Sequence, residues 1–334
     1  MPKTNLLINL PPGFFASPAT REALRRAKAL CSVRKRSWNA PDEIRKDLQW
    51  ADAVLMWSWP VFTDEMLDKA PRLKFSGNID VSRHSAEIFL RRGLAVSTSR
   101  RAWAPAVAEM ALGLTLSTLR KISACHLAMR AGKEKWVQRF PDDVDPDERE
   151  LTGRPVGIVG FGAVGRRYAE LLAPFHCPIS VYDPFLPPDA AARAGVQPVS
   201  LNALLKRSDV VTLCAASNAG TRHLLGKREI TTLRQRAVLV NVARAALVDT
   251  SALIARLKQN DLYAAIDVFD REPLDPHAEL RRLPNAFLTP HRAGGVLSSV
   301  TRTVAMLVDD LEAHLNGRPR AYALTASMLP GLDA

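Results

Sequence analysis

The chain has 334 residues, more than one ordinary domain and enough to bury two sizeable cores. Hydrophobic residues make up 47% and charged residues 24%, the balance of a globular protein rather than a disordered or fibrous one. The formal net charge of +12 raises nucleic acid as a partner, but the basic residues are spread along the whole chain, without aromatic interleaving, a basic tail or a helix-turn-helix pattern; small anionic ligands are the better use of it, and nucleic acid is not expected.

In chain order, apolar runs that read as strands, "NLLINL" (5–10), the weaker "SVRKRS" (32–37), "DAVLMWS" (52–58), "RLKFSG" (72–77) and "LAVSTS" (94–99), alternate with helical patterns at "SPATREALRRAKAL", "APDEIRKDLQW", "TDEMLDKA" and "SRHSAEIFLRRG". That βαβ rhythm predicts a parallel sheet covered by helices on both faces. A long helix is expected from Ala104 to Arg130, followed by a charged, proline-containing arm, "FPDDVDPDERELTG". From Val156 a second series begins, with six strands expected at "VGIVGFG", "ISVYD", "VVTLCA", "AVLVNVA", "AAIDVF" and "AFLTPH", the number of a doubly wound dinucleotide-binding domain. The tail "GVLSSVTRTVAMLVDDLEAHLNG" reads as an amphipathic helix ending at Gly317, able to cross back onto the first domain so that the second is an insertion within it. No run of 18 apolar residues occurs, and "TNLLINLPP" is too short for a signal segment, so no membrane and a cytoplasmic address are expected. The four cysteines, Cys31, Cys125, Cys177 and Cys214, are scattered with no metal-ligand spacing: buried free thiols and no metal.

The stretch "VGIVGFGAVGRRYAELL" places Gly160, Gly162 and Gly165 between an apolar strand and a helix, and Asp183 ends the next strand. Glycines there allow a tight turn and close approach of a pyrophosphate, and the helix N-terminus offers amides. An acid at Asp183 accepts from ribose hydroxyls and repels a 2′-phosphate, so NAD is expected rather than NADP. Three polar residues then fall where later apolar strands end: Arg244, Glu272 and His291. Singly, each has a plain reading, as a solvated cation, a surface acid before Pro273 and a core histidine. At three successive strand ends on the ligand-binding edge of such a fold, they read together as a reacting centre.

The motifs "VGIVGFGAVG…VYDP", "NVARAALVD", "AAIDVFDREPL" and "LTPHRAGG", with "RRGLAVSTS" and "VAEMALGLTL" upstream, resemble the D-isomer-specific 2-hydroxyacid dehydrogenase family. The resemblance implies an α/β chain in which a Rossmann NAD-binding domain (102–292, with a hinge helix and a dimerisation arm) is inserted into a flavodoxin-like substrate domain (1–101 plus 293–334), usually as a homodimer. It implies that Arg244 grips the carboxylate of a small 2-oxoacid and polarises its carbonyl, that His291 donates the proton as hydride arrives, and that Glu272 orients the imidazole and stabilises its protonated form. It further implies cofactor contacts from Ala163, Val164, Val242, Ala243, Asp267 and Gly294 alongside the glycines. Backbone amides near Gly77, Asn78 and Ile79 are expected to form a small nest for the substrate carboxylate.

The chain departs from the family pattern in places. Ala245 stands where relatives usually have glycine after the arginine, which would cost about 1 kcal/mol if positive φ is needed. "CAASNAGT", read as the loop after the third strand of the second series, lacks the commoner histidine and proline. "FSGNIDVSRHS" replaces a glycine-rich turn followed by Val-Asp. Asn78, Arg100, Arg101 and Trp103 either shape the pocket or merely pack and face solvent. Other activities on the same scaffold stay open: phosphite oxidation, and an NAD-sensing corepressor-like role. Formate-oxidising relatives have glutamine where this chain has Glu272, and only about 40 residues follow His291, which argues against a phosphoglycerate dehydrogenase with a further regulatory domain.

Overall fold

The computed structural model describes residues 3–36, 41–57 and 61–332; Ser37 and Ser58, expected at strand ends, and Ala40, expected to open a helix, lie outside them. The chain divides into two compact units, one formed by Met1–Trp103 with Gly295–Ala334 and the other by Ala104–Gly294. Both boundaries fall two residues beyond the positions inferred from the sequence.

In the first unit β1 (Thr4–Asn9), α1 (Pro18–Leu30), β2 (Cys31–Lys35), α2 (Pro41–Leu48), β3 (Ala53–Met56), α3 (Asp64–Asp68), β4 (Phe75–Asn78), α4 (Arg83–Arg91) and β5 (Ala95–Thr98) follow one another. The strands form a parallel sheet in the order β2-β1-β3-β4-β5, the flavodoxin-like arrangement. Ser17, Thr63 and Ser82 cap α1, α3 and α4 with their hydroxyls, which is why those helices start where the sequence suggests.

The second unit opens with α5 (Ala104–Leu119) and α6 (Ile122–Arg130). These correct the single long helix expected there: Lys121 takes a left-handed φ of 49°, and the Leu119 carbonyl accepts the Arg149 amide at 2.9 Å. The returning arm thus caps α5. The inward face of α5 is core: Ala108, Ala111 and Leu114 are buried with Tyr168 and Leu172. Among the described residues only Arg100–Leu119 has the length and apolarity to cross a membrane, and more than half of it is buried inside the protein.

There follow β6 (Val156–Val159), α7 (Ala163–Leu172), β7 (Ile179–Tyr182), α8 (Pro188–Arg193), β8 (Gln197–Pro198), α9 (Leu201–Arg207), β9 (Val210–Leu213), α10 (Lys227–Thr232), β10 (Ala237–Asn241), α11 (Thr250–Leu257), β11 (Leu262–Ile266) and β12 (Ala286–Leu288). Their parallel sheet runs β12-β11-β10-β9-β6-β7-β8, the Rossmann order with a seventh strand added. The count of six strands is corrected by β8, so "CAASNAGT" follows the fourth strand of the series, not the third. The order reverses between β6 and β9, which opens a crevice at the carboxyl ends of those strands.

The last helix, α12 (Leu297–Leu315), returns to the first unit. Val304, Leu307, Val308 and Leu311 pack with Leu6, Leu24 and Phe75, and Arg26 of α1 bonds Asp309 and Glu312. The buried Asp310 accepts from the Ser97 hydroxyl at 2.6 Å and from the Tyr322 amide, tying the tail to β5.

Candidate active site

The glycine turn between β6 and α7 shows a different need at each position. Gly160 has φ of +89°, and a Cβ on it would lie 2.5 Å from the Ala215 Cα. On Gly165 a Cβ would lie 2.3 Å from the Gly160 carbonyl oxygen, so these two let strand, turn and helix close together. Gly162 has nothing within 4 Å of its absent Cβ, and as N-cap of α7 it offers no side chain to the first helical amides. The result is an open cradle with Ala163 and Val164 in the first turn, which fits a pyrophosphate. Asp183, just after β7, closes one side: its two oxygens accept from the Phe161 amide at 2.7 Å and the Phe185 amide at 2.9 Å. Asp183 is partly exposed beside the cradle.

At the end of β10 the chain turns through Val242, Ala243 and Arg244. Asn241, which sequence reasoning missed, holds that turn: its amide nitrogen donates to the Arg244 carbonyl at 3.0 Å and its oxygen accepts from the Ala243 amide at 3.1 Å. The available signal was a polar residue closing an otherwise apolar strand. Val242 is buried, leaving mainly its backbone to face a ligand. Arg244 is exposed, with one guanidinium nitrogen on the Ala243 carbonyl at 2.8 Å. Ala245 is not among the positive-φ residues and begins a short 3-10 turn, so the strain considered for alanine there does not arise.

His291 and Glu272 meet directly, with Nδ1 and Oε2 2.6 Å apart. Glu272 Oε1 also accepts from the Phe269 amide at 3.0 Å, so both carboxylate oxygens are engaged. Burial pushes this carboxyl up, but the His291 hydrogen bond, the Phe269 amide and the charges of His291 and Arg244 outweigh it and hold Glu272 below the usual carboxylate range. Arg244, Glu272 and His291 therefore share one electrostatic site. With Nδ1 committed to the glutamate, Nε2 is the imidazole nitrogen left for a substrate.

Asp267 is a correction. Expected beside the nicotinamide, it is fully buried. Oδ1 accepts from the Thr289 hydroxyl at 2.6 Å and the Arg292 amide at 2.9 Å, and Oδ2 from the Ala293 amide at 2.8 Å. These donors bracket His291, whose φ is +49°, so Asp267 pins the turn carrying the imidazole and presents no surface to a ligand. Gly294, partly exposed, follows that turn.

The substrate nest at Gly77, Asn78 and Ile79 is also corrected. All three are buried, Gly77 and Asn78 within β4, an inner strand flanked by β3 and β5. The Ile79 amide donates to the Met56 carbonyl at 2.9 Å, and the Asn78 side chain bonds back to Ser76. A Cβ on Gly77 would lie 2.6 Å from Leu55 Cδ2, so glycine serves packing there, not a ligand. Arg100 pairs with Asp80 at 3.4 Å, Trp103 packs against the core of the first unit, and Arg101 is exposed.

Comparison with known proteins places the chain in a family. Residues 112–293 match the model of the D-isomer specific 2-hydroxyacid dehydrogenase, NAD binding domain. The chain is 30% identical over 288 residues to a glyoxylate reductase of Thermofilum pendens, covering 83% of this chain and 82% of that one. It is 27% identical over 304 residues to a D-3-phosphoglycerate dehydrogenase of Methanocaldococcus jannaschii, covering 90% of this chain but only 56% of that protein's length. The crystal structure of a phosphoglycerate oxidoreductase from Rhizobium etli superposes with a TM-score of 0.82 at 27% identity, over 96% of this chain and 98% of that one. This chain therefore belongs to the D-isomer specific 2-hydroxyacid dehydrogenase family, NAD-dependent oxidoreductases acting on CH–OH donors.

Proposed function

We propose that the protein reduces a small 2-oxoacid to its D-2-hydroxyacid, and that the His291–Glu272 pair at 2.6 Å is the observation that carries this reading. NADH supplies the hydride when bound. Arg244 binds the substrate carboxylate with its forked donors and polarises the C2 carbonyl. His291 Nε2 donates a proton to the C2 oxygen as that carbon is reduced, and recovers it in the reverse direction. Glu272, held ionised, fixes the ring and balances the imidazolium. Gly160, Gly162, Ala163, Val164 and Gly165 would hold the pyrophosphate and Asp183 the ribose, and Val242, Ala243 and Gly294 would complete the cofactor site.

The relatives named glyoxylate reductase and phosphoglycerate dehydrogenase support the substrate class. We also propose a homodimer built on α6 and the arm that follows, where Leu127, Trp136, Val137 and Phe140 are each at least 59% exposed. The test of the reaction is NADH oxidation with glyoxylate, hydroxypyruvate, pyruvate and phenylpyruvate, with His291→Ala alongside. Turnover of at least one acid, lost by a factor of about 10² or more in the variant, is expected. A wild type that binds NADH yet reduces none of them would sink the proposal.

A further inference from the structure

Within the second unit a cavity of about 520 Å³ extends outward from Arg244 to Arg222 and His223, with Ser217, Asp249 and Asp270 on its walls. None of the glycine-turn residues, nor Asp183, lines it, so this space is separate from the cradle for the dinucleotide phosphates. A molecule of liquid water takes up about 30 Å³, so the cavity holds far more than the few heavy atoms of glyoxylate or pyruvate.

Its walls are set by backbone. Asn218 Oδ1 accepts from the Gly220 and Thr221 amides at 2.9 and 3.1 Å, and the Thr221 hydroxyl donates to the Ala216 carbonyl at 2.8 Å, which stiffens the loop before Arg222. The His223 amide then donates to the Ala246 carbonyl at 2.7 Å, and Leu225 bridges Val248 in parallel. The loop bearing Arg222 and His223 is therefore stitched to the turn that carries Arg244.

Arg244 alone satisfies one carboxylate, and among the described residues Arg222 has no carboxylate partner. Asp249 and Asp270 also line this space, Asp249 accepting from the Ala252 amide at 3.0 Å as N-cap of α11, so two carboxylates stand beside the two guanidinium groups.

We propose that the substrate is a 2-oxoacid bearing a second anionic group, a carboxylate or a phosphate, which Arg222 and His223 hold while Arg244 takes the C1 carboxylate. This rests on the reaction proposed above and names its substrate class. Guanidinium forks pair with either group in two-pronged fashion, and the fixed loop supplies them preorganised.

The experiment measures kcat/KM with NADH for oxaloacetate, 2-oxoglutarate and phosphohydroxypyruvate against pyruvate and glyoxylate at one ionic strength, in wild type, Arg222→Ala and Arg222→Lys, each checked for folding by circular dichroism. The wild type is expected to favour a doubly anionic acid by about tenfold or more, and the carboxylate and phosphate arms identify which group is recognised. In Arg222→Ala that ratio falls by about tenfold or more, and Arg222→Lys recovers part of it. No preference in the wild type, or an equal loss for both substrate classes in Arg222→Ala, overturns the proposal. If no oxoacid is turned over, the redox reading fails by itself, and titration of the NADH complex with D-malate decides: affinity about tenfold weaker in Arg222→Ala keeps the pocket assignment, and equal affinity or no binding removes it.

Discussion

Asp267 holds the turn that carries His291. Its carboxylate takes three hydrogen bonds from the residues on either side of His291, and the left-handed φ of that histidine needs such support. Asp267→Asn keeps the shape but turns one accepting oxygen into a donor that must face a backbone N–H or the Thr289 hydroxyl. A buried group left without its partner costs about 1–3 kcal/mol. We expect a lower Tm and a kcat reduced by about tenfold or more, with NADH affinity within about twofold of wild type. Wild-type kcat in a fully folded variant would remove Asp267 from the support of the imidazole. The contrast with the reacting trio shows what a sequence carries at this scale. Arg244, Glu272 and His291 are legible because each is a polar residue just past an apolar run. Asp267 and Asn241 are not, because their role depends on which amides fold around them. Gly77 misleads for a related reason: a glycine that makes room for Leu55 looks, in one dimension, like a glycine in a ligand-binding turn.

At the scale of elements, the turn between β6 and α7 separates two uses of glycine that one motif conflates. Gly160→Ala meets the Ala215 backbone and forces an L side chain into φ of +89°, costing at least about 1–2 kcal/mol and disturbing the strand crossing. Gly162→Ala meets nothing, so its thermal melt should match the wild type, while its methyl group occupies the space the pyrophosphate needs. The expected pattern is a lowered Tm for the first variant and, for the second, an unchanged Tm with NADH affinity weakened by about tenfold or more, read by fluorescence titration. Normal NADH binding in Gly162→Ala would mean that the cradle does not lie where the structure puts it. The βαβ rhythm made both sheets legible, since buried parallel strands are short unbroken apolar runs. It fails at β8, where Gln197 and Pro198 are exposed and pair only with β7, and at Lys121, where a lysine adopts a conformation that sequence signals assign to glycine or asparagine.

At the scale of the whole molecule, the segment from α6 through the arm faces outward in a way that the rest of the second unit does not. Among the described residues of α6 none is buried, and Ile122, Leu127, Met129, Trp136, Val137, Phe140 and Val144 are all large, apolar and exposed. The segment is nevertheless held to its own body. Lys121 bonds Asp145 at 2.6 Å, Asp147 pairs with Arg236 at 2.6 Å, and the Arg149 guanidinium donates to the Arg236 carbonyl at 2.5 Å. An apolar face fixed in place rather than left to collapse is suited to a rigid partner surface, and in the homodimer proposed above a second copy would supply it by symmetry, each arm covering the other. Replacing two central aromatics with charges, Trp136→Lys with Phe140→Glu, should leave the latch untouched and convert the protein to a monomer in sedimentation equilibrium at micromolar concentration. The variant's Tm should also lose the concentration dependence expected of the wild type, because dimerisation stabilises the fold by mass action. A wild type that sediments as a monomer, or a variant that still sediments as a dimer, would show that this face is not the interface.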